Sequence, residues 1–262
     1  MSIMEGMKLK NVDAENIQFE KIRAFTFIGD SGCDGLGAES MSIFSAALRE
    51  ASGDFILVGG DLVPAGKRRF YEQVAAVADA AATKPVYTLR GNHDTGDYET
   101  FFGKKNYYMY DDRLLLVVLD DSQRAFSYSA LNLLQRALET CAREHIVLSF
   151  HIPPPNRFTR DSLKHNEWNK VLGIIEPHKA WVDYVLCGHI HSYFEDFVNG
   201  IKLITTGGGG AGIQRIKGID QPYHHFVEFA FDETGNLIHK KKDVTFQRAA
   251  DAPPEARTAV VV

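Results

Sequence analysis

Arg90-Gly91-Asn92-His93-Asp94, preceded by Pro85-Val86-Tyr87-Thr88-Leu89, is the stretch on which the reading of the fold turns. Its first half places β-branched and aromatic residues behind a proline, the composition of a buried strand. Its second half starts where that strand stops, and in open α/β sheets this is the edge at which ligands bind. The polar side chains are an amide carbonyl, a titratable imidazole and a carboxylate that can orient a neighbour. Taken alone, Asn, His and Asp after a glycine read equally well as a turn. They point to chemistry only if ligand-type residues close other strands as well.

Upstream they do. Residues 23–30 (RAFTFIGD) read as a strand ending in Gly29-Asp30. Residues 54–60 (DFILVGG) are a continuous apolar run, as expected of a strand buried on both faces, and lead into Asp61. Between them, residues 38–51 place Met41, Phe44, Ala47 and Leu48 on one helical face, and residues 67–82 form an Ala-rich helix. The order strand, helix, strand, helix, strand predicts parallel strands joined by right-handed crossovers.

Downstream, residues 107–110 and 113–119 are expected as strands meeting at Asp111-Asp112, and 129–143 as a helix with Leu131, Leu134 and Leu138 inward. Residues 145–150 (HIVLSF) form another buried strand, ending at His151. Residues 152–169 read as a loop, because Pro153-Pro154-Pro155 forbids a helix or central strand there, with a short helix at 171–176 before Pro177. A strand at 181–187 runs into Gly188-His189-Ile190-His191. Residues 193–198 and 201–205 make a hairpin around Asn199-Gly200, residues 207–210 are four glycines, and 226–231 with 237–246 make a last hairpin. The domain is expected over 23–248, with 1–22 as a polar N-terminal arm and 249–262 as a frayed Ala/Pro-rich tail.

The composition sets limits. A chain of 262 residues, 45% hydrophobic and 24% charged, buries a sizeable core. A net charge of -5 argues against a nucleic-acid polymer and favours a small substrate, while leaving room for a local cationic pocket. Three cysteines without a C-x-x-C pair indicate neither a disulfide framework nor a zinc ribbon, so a reducing, cytoplasmic setting is expected. No apolar run reaches the roughly 18 residues of a membrane helix, and residues 1–22 lack the apolar core of an export signal.

Collected, the strand-end residues are Asp30, Asp61, Asn92, His151, His189 and His191. Carboxylates, an amide oxygen and imidazoles are the donor set of Zn, Mn or Fe. The set is too rich for one ion. Two ions roughly 3.5–4 Å apart, sharing a carboxylate, suit it better.

Gly29-Asp30, Gly60-Asp61, Gly91-Asn92-His93-Asp94, His151 and Gly188-His189-Ile190-His191, in that order, resemble the calcineurin-like metallophosphoesterase superfamily over residues 24–210. The Gly-Asp-x-Gly form of the first block is most similar to the purple acid phosphatase branch. The resemblance implies a four-layer α/β/β/α sandwich with two mixed sheets flanked by helices. It implies one metal at Asn92, His151 and His189, with Asp61 bridging to another at Asp30 and His191. It further implies that His93, held by Asp94, protonates the leaving group. Ions held in this way would activate a water and neutralise phosphate charge.

Two departures stand out. The common Asp-x-His of the first block has Gly32 in place of His, and the tyrosine of purple acid phosphatases is replaced by Pro64. The first metal is therefore expected to be weakly held, with Cys33 or Asp34 as unresolved substitutes. Arg157, Arg160, Lys164, His165 and Trp168 suggest a loop gripping a phosphate or a base ring, with a plain solvated loop equally open. Arg90 is a phosphate contact or a structural pair. The expectation is hydrolysis of a small phosphomonoester or phosphodiester. The alternative is a binding scaffold of the same fold, its first metal site incomplete.

Overall fold

The structure, a computed structural model, describes residues 7–219 and 223–246. In chain order its elements are β1 (Asn16–Gln18), β2 (Ala24–Ile28), α1 (Ala38–Glu50), β3 (Phe55–Val58), α2 (Arg68–Ala81), β4 (Val86–Thr88) and α3 (Tyr98–Phe102). Next come β5 (Tyr107–Tyr110), β6 (Leu114–Val118), α4 (Tyr128–Cys141), β7 (His145–Ser149) and α5 (His165–Ile175). A 3-10 turn over Glu176–Trp181 leads to β8 (Val182–Cys187), β9 (Tyr193–Val198), β10 (Ile201–Thr206), β11 (His225–Phe231) and β12 (Leu237–Asp243).

The strands form two mixed sheets, one ordered β1-β5-β6-β7-β8-β10-β9 and one ordered β12-β11-β2-β3-β4. In the smaller sheet β2, β3 and β4 are parallel, with Phe25 opposite Phe55 and Ile56 opposite Val86. In the larger, β6, β7 and β8 are parallel, with Leu116 opposite Val147 and Leu148 opposite Val185. These strands are apolar on both faces because both faces are covered. Phe25, Phe27, Leu57, Leu116, Val118, Val147 and Leu186 fill the space between the sheets. Met41, Phe44, Leu48, Tyr71 and Val74 of α1 and α2 seal the outer face of the smaller sheet. Leu134, Leu138, Trp168, Val171 and Ile175 of α4 and α5 seal that of the larger. The result is the expected four-layer sandwich.

Three local expectations change. The segment read as an arm is tied to the sheets: Leu9 bridges Val86, Val12 bridges Gly103, and β1 pairs in parallel with β5. Leu9, Val12 and Ile22 are buried, which supplies the reason for docking. The helix expected at 171–176 starts at His165, since the proline run ends ten residues earlier and Trp168, Val171 and Ile175 share one apolar face. A further short helix, α3, buries Tyr98 and Phe102. The tail expected over 249–262 lies outside the described residues.

Candidate metal centre

The polar residues stand at the carboxyl ends of β2, β3, β4, β7 and β8, and so draw on both sheets. Asp30, Asp61 and His189 each follow a glycine and each adopt a left-handed backbone, with φ of 53°, 51° and 69°. Such conformations are uncommon outside glycine, cost of order 1–3 kcal/mol each, and gather where the surroundings hold them for a purpose. The surroundings here are one another's backbones. The amide of His189 donates to Asp30 Oδ1 at 3.0 Å, and the amide of His93 to Asp61 Oδ1 at 2.9 Å. The approach is too close for a side chain at Gly91, where a Cβ would lie 2.2 Å from Asp61 Oδ1.

Two donor groups result. Asp30, Cys33, Asp61 and His191 each offer a ligand atom within 4.8 Å of the others, and so do Asp61, His151 and His189. Asp61 belongs to both. His151 Nδ1 lies 2.9 Å from the carbonyl of Gly59, and His191 Nδ1 lies 3.1 Å from that of Gly212. A ring nitrogen facing a carbonyl carries a proton, which leaves Nε2 of each ring as the nitrogen turned toward the carboxylates. His189 is held from the other side: its Nε2 lies 3.1 Å from Asp161 Oδ1, leaving Nδ1 as the donor.

Buried Asp30 Oδ2, Asn92 Oδ1 and His151 Nε2 have no hydrogen-bond partner. An unsatisfied buried polar atom costs roughly 1–3 kcal/mol. Two oxygens with no partner, and an imidazole nitrogen facing only the Asp61 carboxylate, on residues of the right donor type at the converging strand ends, fit a pair of cations.

The electrostatics reflect this crowding. Burial alone would depress the His151 pKa, but the negative charges of Asp61, 3.3 Å away, and of Asp30 raise it to about 10. Asp61 is pushed up by burial and pulled down further by His151, settling at about 2. Asp30 is raised, first by burial and then by the charge of Asp61, with His151 opposing. His189 is lowered to about 4 by burial and by charged His151, against the pull of Asp161. Without ions the rim is thus a buried ion pair flanked by a protonation-prone carboxylate and a neutral imidazole.

Other expected site residues fall differently. Exposed His93 hangs beside Asp61, its Nδ1 3.3 Å from the carbonyl of Pro64, so that Nε2 is open to solvent. Asp94 does not hold His93. It is fully buried, one oxygen accepting the amides of Leu62 and Val63 and the other that of Gly91, so both are occupied by backbone. Its role is to lock the loop after β3 onto the loop after β4.

Arg90 is a structural pair: its Nε donates to the Asp94 carbonyl at 2.7 Å, and its Nη1 lies 3.4 Å from Asp120. Arg157 is held by Asp196 at 2.8 Å, Arg160 is exposed, and His165 opens α5 on the surface. No hydrogen bond or ion pair among the described residues links Arg90, Arg157, Arg160 or His165 to the donor groups. Trp168 is buried in the core, its indole N–H donating to Asn199.

Three residues at the site were not expected. Buried Asp121 accepts the amides of His151 and Ile152 and so fixes the end of β7. Asp161 reaches His189 from the long loop and is paired at 2.7 Å with Arg124, whose half-exposed guanidinium also lies 3.4 Å from His189 Nε2. Asp121 had a readable signal, since it closes an apolar strand as Asp30 and Asp61 do. Asp161 and Arg124 had none. The four glycines at 207–210 let backbones pass: a Cβ at Gly207 would lie 2.4 Å from the Ile190 carbonyl.

With this geometry in view, comparison with known proteins is informative. The chain matches the calcineurin-like phosphoesterase family over residues 24–193. No curated protein matches it in sequence. Among solved structures it resembles a purple acid phosphatase from yellow lupin (Lupinus luteus) seeds, with a TM-score of 0.66 and 15% identity, over 87% of this chain and 53% of the lupin chain. The chain thus spans about half the length of that relative. It also resembles a dimetal phosphatase from Danio rerio, with a TM-score of 0.62 and 16% identity, over 86% and 99% of the two chains. An anchor protein of the Plasmodium inner membrane complex gives 0.60 and 15%, over 88% and 90%. These likenesses concern the fold, and the ordered strand-end motifs agree with it. The chain belongs to the calcineurin-like phosphoesterase family.

Proposed function

We propose that this chain is a metal-dependent phosphoesterase that hydrolyses a small phosphomonoester or phosphodiester. The observation that carries the reading is the pair of donor groups sharing Asp61, with Asp30 Oδ2 and Asn92 Oδ1 buried and unpartnered beside them and His151 Nε2 meeting only the Asp61 carboxylate. Asp30, Asp61 and His191 would hold one ion, and Asp61, Asn92, His151 and His189 the other. Bound ions would supply an activated water and neutralise the charge that develops on phosphorus oxygens.

The protein's own groups would do the rest. Asp94 and Asp121 tie backbone amides down, so the ligands are fixed before substrate arrives. His93, with Nδ1 at the Pro64 carbonyl, presents Nε2 to the leaving-group oxygen and delivers a proton there. Arg124, half exposed beside His189, is placed to take a phosphate oxygen, a role the sequence had suggested for Arg90 and Arg157. The free, buried cysteines support a reducing compartment such as the cytoplasm. Among the described residues no helix is long and apolar enough to cross a membrane.

The test is hydrolysis of a mono- and a bis-nitrophenyl phosphate by the protein loaded with Mn, Fe or Zn. Turnover that a chelator abolishes is expected, and the ester preferred assigns the substrate class. Absence of turnover with every metal would leave the fold as a binding scaffold.

A further inference from the structure

We propose that Cys33 is a thiolate ligand of the first metal ion, completing with Asp30, Asp61 and His191 a site of mixed sulfur, oxygen and nitrogen donors. The inference rests on the metal-centre reading above and concerns what fills the place left by Gly32 and Pro64.

The backbone builds this arrangement. The amide of Gly32 donates to the Asp61 carbonyl at 3.0 Å, and that of Gly35 to the Gly32 carbonyl at 3.0 Å, so residues 32–35 make a closed turn pressed on the loop after β3. A Cβ at Gly32 would lie 2.1 Å from the Leu62 carbonyl, so no imidazole could stand at this position. The turn presents the next side chain instead. Cys33 Sγ lies 3.0 Å from His191 Nε2, the nitrogen that the Gly212 contact leaves free for a metal.

Asp34, the other candidate, is accounted for elsewhere. Its Oδ2 accepts the Gly212 amide at 2.8 Å and sits 3.6 Å from His191 Nδ1, on the far side of the ring. Asp34 therefore braces the imidazole from behind while Cys33 meets it from the front.

Two further observations point to a cation. Asp30, fully buried in the same group, has an oxygen with no hydrogen-bond partner. Cys33 is itself buried, at 6% exposure, yet it sits among carboxylates and an imidazole, whereas Cys141 and Cys187 are embedded in the apolar cluster around α4 and α5. A thiol kept only for packing has no reason to stand there. On metal binding the S–H bond breaks, the electron pair goes to the ion and the proton to solvent. A thiolate is a soft donor, which turns the first site toward Zn, Co or Fe and away from Mg or Mn. The loosely held first metal expected from Gly32 and Pro64 then becomes a four-donor site of different taste.

The experiment titrates the full-length metal-free protein with Co(II) and records the near-ultraviolet and visible spectrum. Two Co per chain are expected, one of them with a thiolate-to-cobalt charge-transfer band. Cys33→Ser, folded by circular dichroism, should lose that band and hold one ion at least 10–100-fold more weakly, the loss typical even of groups behind the ligands. Cys141→Ser should keep it.

Two bound ions without the band, or a band that survives in Cys33→Ser, would overturn the assignment while sparing the metal centre. Failure of the wild-type protein to bind any ion would overturn both. X-ray absorption on the zinc-loaded wild type requires no variant: a sulfur at about 2.3 Å supports Cys33, and a shell of only nitrogen and oxygen refutes it.

Discussion

The two donor groups share Asp61 and a rim, and otherwise differ in construction. The second, with His151 and His189, takes its imidazoles from the larger sheet, and each ring is oriented by a dedicated partner, the Gly59 carbonyl or Asp161. The first draws Asp30 and Cys33 from the loop after β2 and only His191 from the larger sheet. One is a nitrogen-rich site set in strand ends; the other leans on a four-residue turn. The difference lies in the donors: imidazoles held by strand ends in one group, a carboxylate and a thiol carried by a loop in the other.

The comparison can be broken or sharpened by substitution. Asp61→Asn should have the largest effect, because it alone serves both groups: both ions should be lost and turnover should vanish. Metal analysis after gel filtration checks this, and retention of one tightly held ion would show that the groups are independent. His93→Ala should lower turnover about 10²–10⁴-fold with metal content unchanged, since His93 touches Asp61 through its backbone amide only. Loss of metal in that variant would move His93 from proton delivery to site construction.

Asp161→Asn should weaken the second ion about 10–100-fold and spare the first, as orienting partners of metal-bound imidazoles do. Equilibrium dialysis with each metal would read both constants. The smallest effect separates the rim from its surroundings. His225, buried with its Nδ1 at the Tyr223 carbonyl, is held down to about 4, mainly by burial. The unfolded chain takes up this proton near pH 6.5 and the folded chain only near 4. The stability it contributes is therefore complete above about pH 6.5 and falls as pH drops toward 4. Thermal midpoints of the metal-free protein, taken at either end of that window, should shift upward at the acidic end in His225→Gln relative to wild type; an unchanged difference between the two proteins would remove His225 from the pH response. His189 shifts the same way, while buried Asp94 and Asp121, raised to about 7 mainly by burial, act in the opposite direction, so only the difference between variant and wild type reads His225.

Much of this was readable in the residues. Apolar runs such as 55–58 and 145–149 could only be strands covered on both sides, and polar residues just past them had to meet wherever parallel strands end together. The partition into two sheets was not readable from local pattern, because a buried strand carries no mark of which sheet it joins. The family resemblance supplied it. Asp94 misled because adjacency suggested it would serve His93, whereas a buried carboxylate is satisfied by whichever amides surround it. Arg90 and Arg157 stayed open between two readings because positive charge in a loop does not reveal that Asp120 or Asp196 lies within reach. Cys33 was visible as a possibility, but choosing it over Asp34 required knowing which side of the His191 ring each would face.

That the ligands straddle the sandwich has a mechanical consequence. Asp30, Asp61 and Asn92 ride on one sheet while His151, His189 and His191 ride on the other, so ions bound among them would act as rivets through the stack. Loading at a hundred times the dissociation constant adds about 2.7 kcal/mol per site against unfolding. Because the rivets sit at one end only, this gain is delivered at the rim, where His189 and His151 already reach across to Asp30 and Gly59.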